Sequence, residues 1–323
     1  MDSSTSLQVR VARKAAETPD ICVFELRTLD GAALPAFDAG AHVDVHLPEG
    51  VVRQYSLCNA PDEAPQCYEI AVLRDARSRG GSVGMHALQE GQAITISAPR
   101  NHFPLAKGAP HHVLFAGGIG ITPILAMAHT LAQQGASFEL HYCTRSCATT
   151  AFQRRMTSSA FADRVFFHHD DGDAAQKLDA QTLLKSPVVE GAHLYVCGPS
   201  GFMEWILAAG RQAGWSEDRL HREYFAGAAI DTSDDGAFEV QIASTGAVIT
   251  VPADQAVTTA LATHGIEVAT SCEQGVCGTC LVRVLDGTPD HRDMYLTDEE
   301  RALNDQFTPC CSRARSARLV LEL

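Results

Sequence analysis

The sequence predicts a multidomain fold of the α/β plus β class. An antiparallel β-barrel comes first, a Rossmann-like domain with a parallel sheet second, and a small β-rich domain last. Three observations predict this. Short β-prone runs separated by Gly, Pro and Asp clusters fill residues 7–104. Strand and helix patterns alternate over residues 105–226. A cysteine cluster with metal-ligand spacing sits among short strands near the C-terminus. At 323 residues the chain has room for two or three domains.

The barrel strands read as LQVRVARK, ICVFELRT, HVDVHLP, VRQYSLC, YEIAVLR and AITISAP. One helix, SVGMHALQEG, interrupts them, opened by Ser82 and closed by Gly91. In the second segment HHVLFAGG, FELHYCTR, RVFFHHDD and HLYVCGP read as strands. ITPILAMAHTLAQQG, TAFQRRMTSSA, LDAQTLLKS and SGFMEWILAAGRQAG read as the helices between and after them. GAAIDTSDDG, residues 227–236, is polar and reads as a linker. Residues 237–323 hold the strands FEVQIAS, AVITVPA, CLVRVLDG and RLVLEL and a helix near QAVTTALATHG. TDEERALNDQF reads as a solvated helix with an acidic first turn.

Composition narrows the function. The formal net charge is −14, which argues against a nucleic-acid binder, since that role needs a basic face for phosphates. The N-terminus lacks a secretory pattern and no apolar run approaches about 20 residues. The chain is therefore expected to be cytoplasmic, off the membrane and monomeric. Eleven cysteines in a reducing compartment point to metal, redox chemistry or packing rather than disulfides.

SCEQGVCGTC places Cys272, Cys277 and Cys280 as C-x4-C-x2-C, with Cys310 30 residues further on. This is the spacing of plant-type [2Fe–2S] ferredoxins, where each of two irons takes two thiolates besides the bridging sulfides. Zinc knuckles use paired C-x2-C, so the x4 gap fits them poorly. The fourth ligand stays open between Cys310 and Cys311, because adjacent residues of an extended strand face opposite ways. The remaining cysteines carry no spacing signal, apart from Cys197 in a strand-end turn.

VLFAGGIGITPILAMA has a buried strand, then Gly117, Gly118 and Gly120, then a helix start. Such a turn suits a pyrophosphate, although the full dinucleotide fingerprint is missing. Cys197-Gly198-Pro199 is a second strand-end turn in the same segment, and together the two suit a dinucleotide. VVRQYSLCN puts Arg53 and Tyr55 on one strand face, a cation for phosphate and a ring wall for a planar group. Arg79-Gly80-Gly81-Ser82 opens the next helix. Both features also occur in barrels without a ligand. The doublets His111-His112 and His168-His169 read as structural, since neighbours on a strand diverge.

RQYS, RGGS, GGIGITP, CGP, EYF, CEQGVCGTC, CCSRA and the ending LVLEL together resemble the phthalate dioxygenase reductase family, across nearly the whole chain. The resemblance implies an FMN-binding barrel over 1–104, an NAD-binding domain over 105–226 and a plant-type ferredoxin (β-grasp) domain over 237–323. It implies that Arg53, Tyr55 and Ser56 bind FMN, that Gly80, Gly81 and Ser82 hold its phosphate, and that Thr122 and Phe225 lie near the ring. Gly118, Gly120, Cys197, Gly198 and Pro199 are implied for NADH. Cys310 is implied as the fourth cluster ligand. Leu73 departs from the basic residue found in some members.

The function so implied is an NADH-dependent reductase of a Rieske-type oxygenase system. Electrons pass from NADH to FMN, then to the [2Fe–2S] cluster, then to the terminal oxygenase. The cofactors supply the chemistry, so no residue is assigned as a catalytic acid or base. Two other readings compete: an FAD- and NADPH-dependent ferredoxin-reductase-type enzyme, and a non-catalytic iron–sulfur carrier. For NADPH only Arg145 and Arg154-Arg155 offer basic groups. Residues 236–323 carry 6 Arg against 12 Asp plus Glu, an acidic face for a basic patch on the oxygenase.

Overall fold

A computed structural model describes residues 6–76, 78–185, 190–225, 227 and 232–323. Contacts divide the chain into two units, Met1–Glu223 and Tyr224–Leu323. Most of the expected linker, 228–231, lies outside the described residues. Its C-terminal end is held within the second unit, because Asp235 accepts hydrogen bonds from both terminal nitrogens of Arg292 (2.5 and 3.0 Å).

The first unit begins with an antiparallel sheet of β1 (Ser6–Ala16), β2 (Ile21–Thr28), β3 (Ala41–His46), β4 (Val52–Ser56), β5 (Tyr68–Leu73), β6 (Ala93–Ser97) and the short β7 (Arg100–Asn101). The order is β4-β3-β6-β1-β2-β5, with β7 on β3. A bridge between Leu57 and Ile70 joins the two outer strands and closes a barrel. Alternation sends Val9, Val11, Val43 and Val45 inward to a core with Phe24, Tyr68 and Ile70. Helix α1 (Gly81–Ala87) is shorter than its sequence pattern. Its N-cap is Gly80, not Ser82, whose hydroxyl accepts the Asp75 amide instead (3.1 Å). It ends at Ala87 because Leu88 turns extended, short of Gly91.

The second half of this unit is a parallel sheet of β8 (His112–Gly117), β9 (Phe138–Thr144), β10 (Val165–His169), β11 (His193–Cys197) and β12 (Leu220–Glu223). Helices α2 (Ile121–Gln133), α3 (Gln153–Thr157), α4 (Ala180–Lys185) and α5 (Ser200–Gln212) connect them. The order β10-β9-β8-β11-β12 reverses between β8 and β11, the switch point at which sheets of this kind bind ligands. Sequence patterning misses β12, because LHRE is short and mostly polar. A continuous core joins Ile21, Cys58, Ala71 and Phe103 of the barrel to α2 and Cys197 of the sheet, which makes the two halves one unit.

The second unit holds β13 (Phe238–Ile242), β14 (Val248–Val251), β15 (Val282–Asp286), β16 (Pro289–Asp290), β17 (Gln306–Phe307), β18 (Arg313–Ala314) and β19 (Arg318–Leu321). The main sheet runs β14-β13-β19-β15-β17, with β13 and β19 parallel and the other pairs antiparallel. Helix α6 (Val257–Ala262) packs Val257, Ala260 and Leu261 into its core. Helix α7 (Asp298–Leu303) starts at a capping box between Thr297 and Glu300. Among the described residues no helix is long and apolar enough to cross a membrane.

Candidate functional site

Arg53 and Tyr55 share one face of β4, opposite Val45 and Val43 of β3, while Ser56 faces the other way beside His42. The Arg53 guanidinium donates to the carbonyls of Val52 (2.7 Å) and Arg79 (3.2 Å). Its stem covers Gly81, where a Cβ would stand 2.6 Å from Arg53 Cγ. The structure thus brings Arg53, Gly80, Gly81 and the start of α1 together. Tyr55 packs its ring partly against the barrel core, and burial pushes its phenol up.

At the switch point two turns interlock. A Cβ on Gly120 would lie 2.2 Å from the Cys197 carbonyl oxygen, and one on Gly198 would lie 2.9 Å from Gly117 Cα. Only glycine permits this approach. Phe202, near the start of α5, and Pro199 cover Gly117 from outside. Thr122 is buried and its hydroxyl donates to the Ile119 carbonyl (3.1 Å), so its side chain serves its own helix start. Gly120→Ala is expected to push backbone against backbone. It should cost about 1–3 kcal/mol of stability and weaken NADH binding, read by thermal melting and by NADH titration.

The residue that sequence reasoning missed is Glu223, the last residue of β12. Its carboxylate accepts a hydrogen bond from Ser56 Oγ (3.3 Å), linking the barrel strand to the sheet. Burial pushes its pKa up to about 8, against a lowering effect of the Ser56 bond, so it holds a proton at neutral pH. The adjacent Cys197 thiol is pushed up by burial and then by Glu223. The only sequence signal was its place in EYF. Phe225 of the same motif falls in the second unit, with its ring 40 % exposed.

The four candidate cluster cysteines, Cys272, Cys277, Cys280 and Cys310, are all buried. Cys272 lies within hydrogen-bonding reach of Cys277 and Cys310, and Cys280 within reach of Cys310. Hydrogen bonds among these thiols push Cys272 and Cys280 down and Cys277 and Cys310 up, as crowded sulfurs sharing protons do. The amides of Gln274 and Thr279 donate to the sulfurs of Cys272 (3.3 Å) and Cys277 (3.4 Å). Gly278 has φ +68°, and a Cβ there would stand 2.2 Å from the Tyr295 ring. No set of three His, Cys, Asp or Glu residues that could hold a metal ion is found among the described residues. A binuclear cluster takes two thiolates on each iron, so its four ligands need not converge on one point. The buried sulfurs and the amides aimed at them fit a [2Fe–2S] group.

Comparison with known proteins agrees. Residues 240–315 match the 2Fe-2S iron-sulfur cluster binding domain family. Residues 93–220 match the family described as dimethylamine monooxygenase subunit DmmA-like, N-terminal domain. The vanillate O-demethylase oxidoreductase of Pseudomonas putida is 57 % identical over 95 % of this chain and 96 % of its own length. The phthalate dioxygenase reductase of Burkholderia cepacia is 39 % identical over 98 % of this chain and 97 % of its own. A solved phthalate dioxygenase reductase is 38 % identical with a TM-score of 0.77, covering 98 % of both chains. That structure is described as modular, for electron transfer from pyridine nucleotides to [2Fe-2S].

Proposed function

The chain belongs to the phthalate dioxygenase reductase family, and on that premise we propose that it serves an oxygenase that demethylates vanillate. As a member it is an oxidoreductase, the reductase component of an oxygenase system. It carries electrons from a pyridine nucleotide through flavin to a [2Fe–2S] cluster. The observation that carries the vanillate assignment is the 57 % identity along almost the whole of a vanillate O-demethylase oxidoreductase, against 39 % for the phthalate enzyme. The partner is then a Rieske-type terminal oxygenase, met through the acidic ferredoxin unit.

The flavin is FMN in this reading. It accepts two electrons from the nucleotide and releases them singly to the cluster. Arg53 and the backbone of Gly80, Gly81 and Ser82 hold its phosphate, Tyr55 walls the ring, and Ser56 presents a hydroxyl to it. Thr122 contributes its backbone rather than its hydroxyl. The family resemblance alone offers Phe225 for the ring. Gly118, Gly120, Cys197, Gly198 and Pro199 line the nicotinamide nucleotide, and Glu223 holds a proton between the two sites through Ser56.

NADH fits better than NADPH. Asp170 and Asp171 stand exposed just past β10, their amides bonded to the Thr144 (3.0 Å) and Arg145 (3.2 Å) carbonyls. Two carboxylates at a strand end repel an extra phosphate. Of the candidate arginines, Arg155 is already paired with Glu69 (2.6 Å).

The test pairs the purified protein with a vanillate-demethylating oxygenase component. NADH oxidation is expected to depend on vanillate, and acid should release FMN. Coupling to a phthalate oxygenase but not to the vanillate one would overturn the substrate assignment. Released FAD would overturn FMN.

A further inference from the structure

The loop between Cys272 and Cys277 is held from behind by a segment far away in sequence. Gly275, at its apex, has φ +70°, and a Cβ there would lie 2.4 Å from Cys311 Sγ and 2.9 Å from both Cα and Cβ of Asp293. The Met294 amide donates to the Gly275 carbonyl (2.9 Å). The Tyr295 ring fills the space over Gly278, the second glycine of the cysteine run. Asp293 to Tyr295 therefore seats both glycines of the cluster loop.

Asp293 organises this seat. Its side chain is fully buried. Its Oδ2 accepts the amides of Tyr295 (3.1 Å) and Leu296 (2.7 Å), which fixes the turn carrying the Tyr295 ring. Arg301 Nη2 donates to the Asp293 carbonyl and the same nitrogen lies 3.9 Å from Oδ2. The other oxygen, Oδ1, makes no hydrogen bond among the described residues and faces His291 Nδ1 at 3.7 Å. Behind the loop, Cys311 Sγ lies 3.3 Å from Thr308 Oγ1, and Thr308 bonds Ser312 (3.1 Å). Ser312 Oγ in turn accepts the Arg292 amide (3.1 Å), which closes the support around residues 291–296.

We propose that Asp293 is a positioning residue of the iron–sulfur centre, shaping the cluster loop through Gly275 and Tyr295 and setting the cluster's reduction potential by its buried charge. Two physical arguments meet here. Groups outside the ligand set that orient the ligands, and the local dielectric, are the protein's levers on a cluster. Reduction adds negative charge, and a buried carboxylate close behind the loop opposes it, so removing that charge should make the cluster easier to reduce. The inference rests on the four cysteines being the cluster ligands.

The test uses the full-length holoprotein and the near-isosteric Asp293→Asn, with Asp293→Ala beside it. Asp293→Asn is expected to keep iron and acid-labile sulfide near the wild-type level. Its midpoint potential should move positive by about 59 mV, a tenfold shift of a one-electron equilibrium. Asp293→Ala is expected to lower cluster content several-fold. Should Asn also lose the cluster, melting of the apoprotein decides. An unchanged melt means that the loop alone was released and supports the proposal, whereas a lowered melt means a structural role only and overturns it. Full cluster content with wild-type potential and paramagnetic spectrum in both variants likewise overturns it. NADH-driven ferricyanide reduction through the flavin is the internal control. If the wild-type protein itself holds no cluster, the ligand assignment has failed rather than the role of Asp293.

Discussion

Cys310→Ser is expected to give a protein that holds no [2Fe–2S] cluster and delivers no electrons to an oxygenase, while Cys311→Ser keeps the cluster. The two residues are neighbours, yet their sulfurs have different surroundings. Cys310 is buried within reach of Cys272 and Cys280 as well as Cys311. Cys311 points to the Thr308 hydroxyl and the back of Gly275. The two cysteines lie in a turn, not the expected strand, where the Cys311 and Ser312 amides both donate to the Thr308 carbonyl, and that turn gives one sulfur to the cysteine cluster and the other to the packing behind Gly275. Iron and acid-labile sulfide per chain, with visible absorption, measure the outcome. Cluster loss in Cys311→Ser with retention in Cys310→Ser would move the fourth ligand to Cys311.

Glu223→Gln is expected to remove a pH inflection near 8 from flavin reduction. In the wild-type chain burial keeps Glu223 neutral up to about that pH. With the flavin on Ser56 as proposed, its reduction by NADH would bring negative charge towards that serine. An ionised Glu223 there would oppose it, so the rate should fall on the order of tenfold above pH 8. Glutamine still accepts from Ser56 and never ionises, so stopped-flow rates of the variant should run level through this range. Stability gives an independent reading. The folded-state pKa is raised, so the folded chain binds the proton more tightly than the unfolded one, whose carboxyl titrates near 4.5. Stability from this group is complete below about pH 4.5 and is lost as pH rises through 8. Chemical denaturation of the apoprotein should show that decline in the wild type and a flatter profile in Glu223→Gln. The same inflection in both proteins would assign it to another group.

Local sequence was a good guide wherever the chemistry is local. C-x4-C-x2-C sets ligand positions within one loop, and alternating valines set which strand faces turn inward, so the cysteines, the barrel strands and the parallel sheet were legible before any coordinates. The helix start at Ser82 was misread because a hydroxyl before a helical run resembles a cap, whereas the chain there takes φ +87° at Gly80 and binds Ser82 to Asp75. The strand LHRE escaped notice because its pairing with β11 is a tertiary event, with no apolar period to announce it.

The sequence by itself determined the architecture, the candidate cluster cysteines but for the choice between Cys310 and Cys311, and the family. The first two depend on spacing and periodicity along short stretches of chain, and the family on the resemblance of the motifs taken together. Only the tertiary structure decided that Glu223 is a half-buried acid of raised pKa bonded to a serine 167 residues away. Only it showed that Asp293 and Cys311 close on Gly275. Burial and contact at long sequence separation come from packing, and an ionisable group's charge depends on the solvent and partners that packing leaves it.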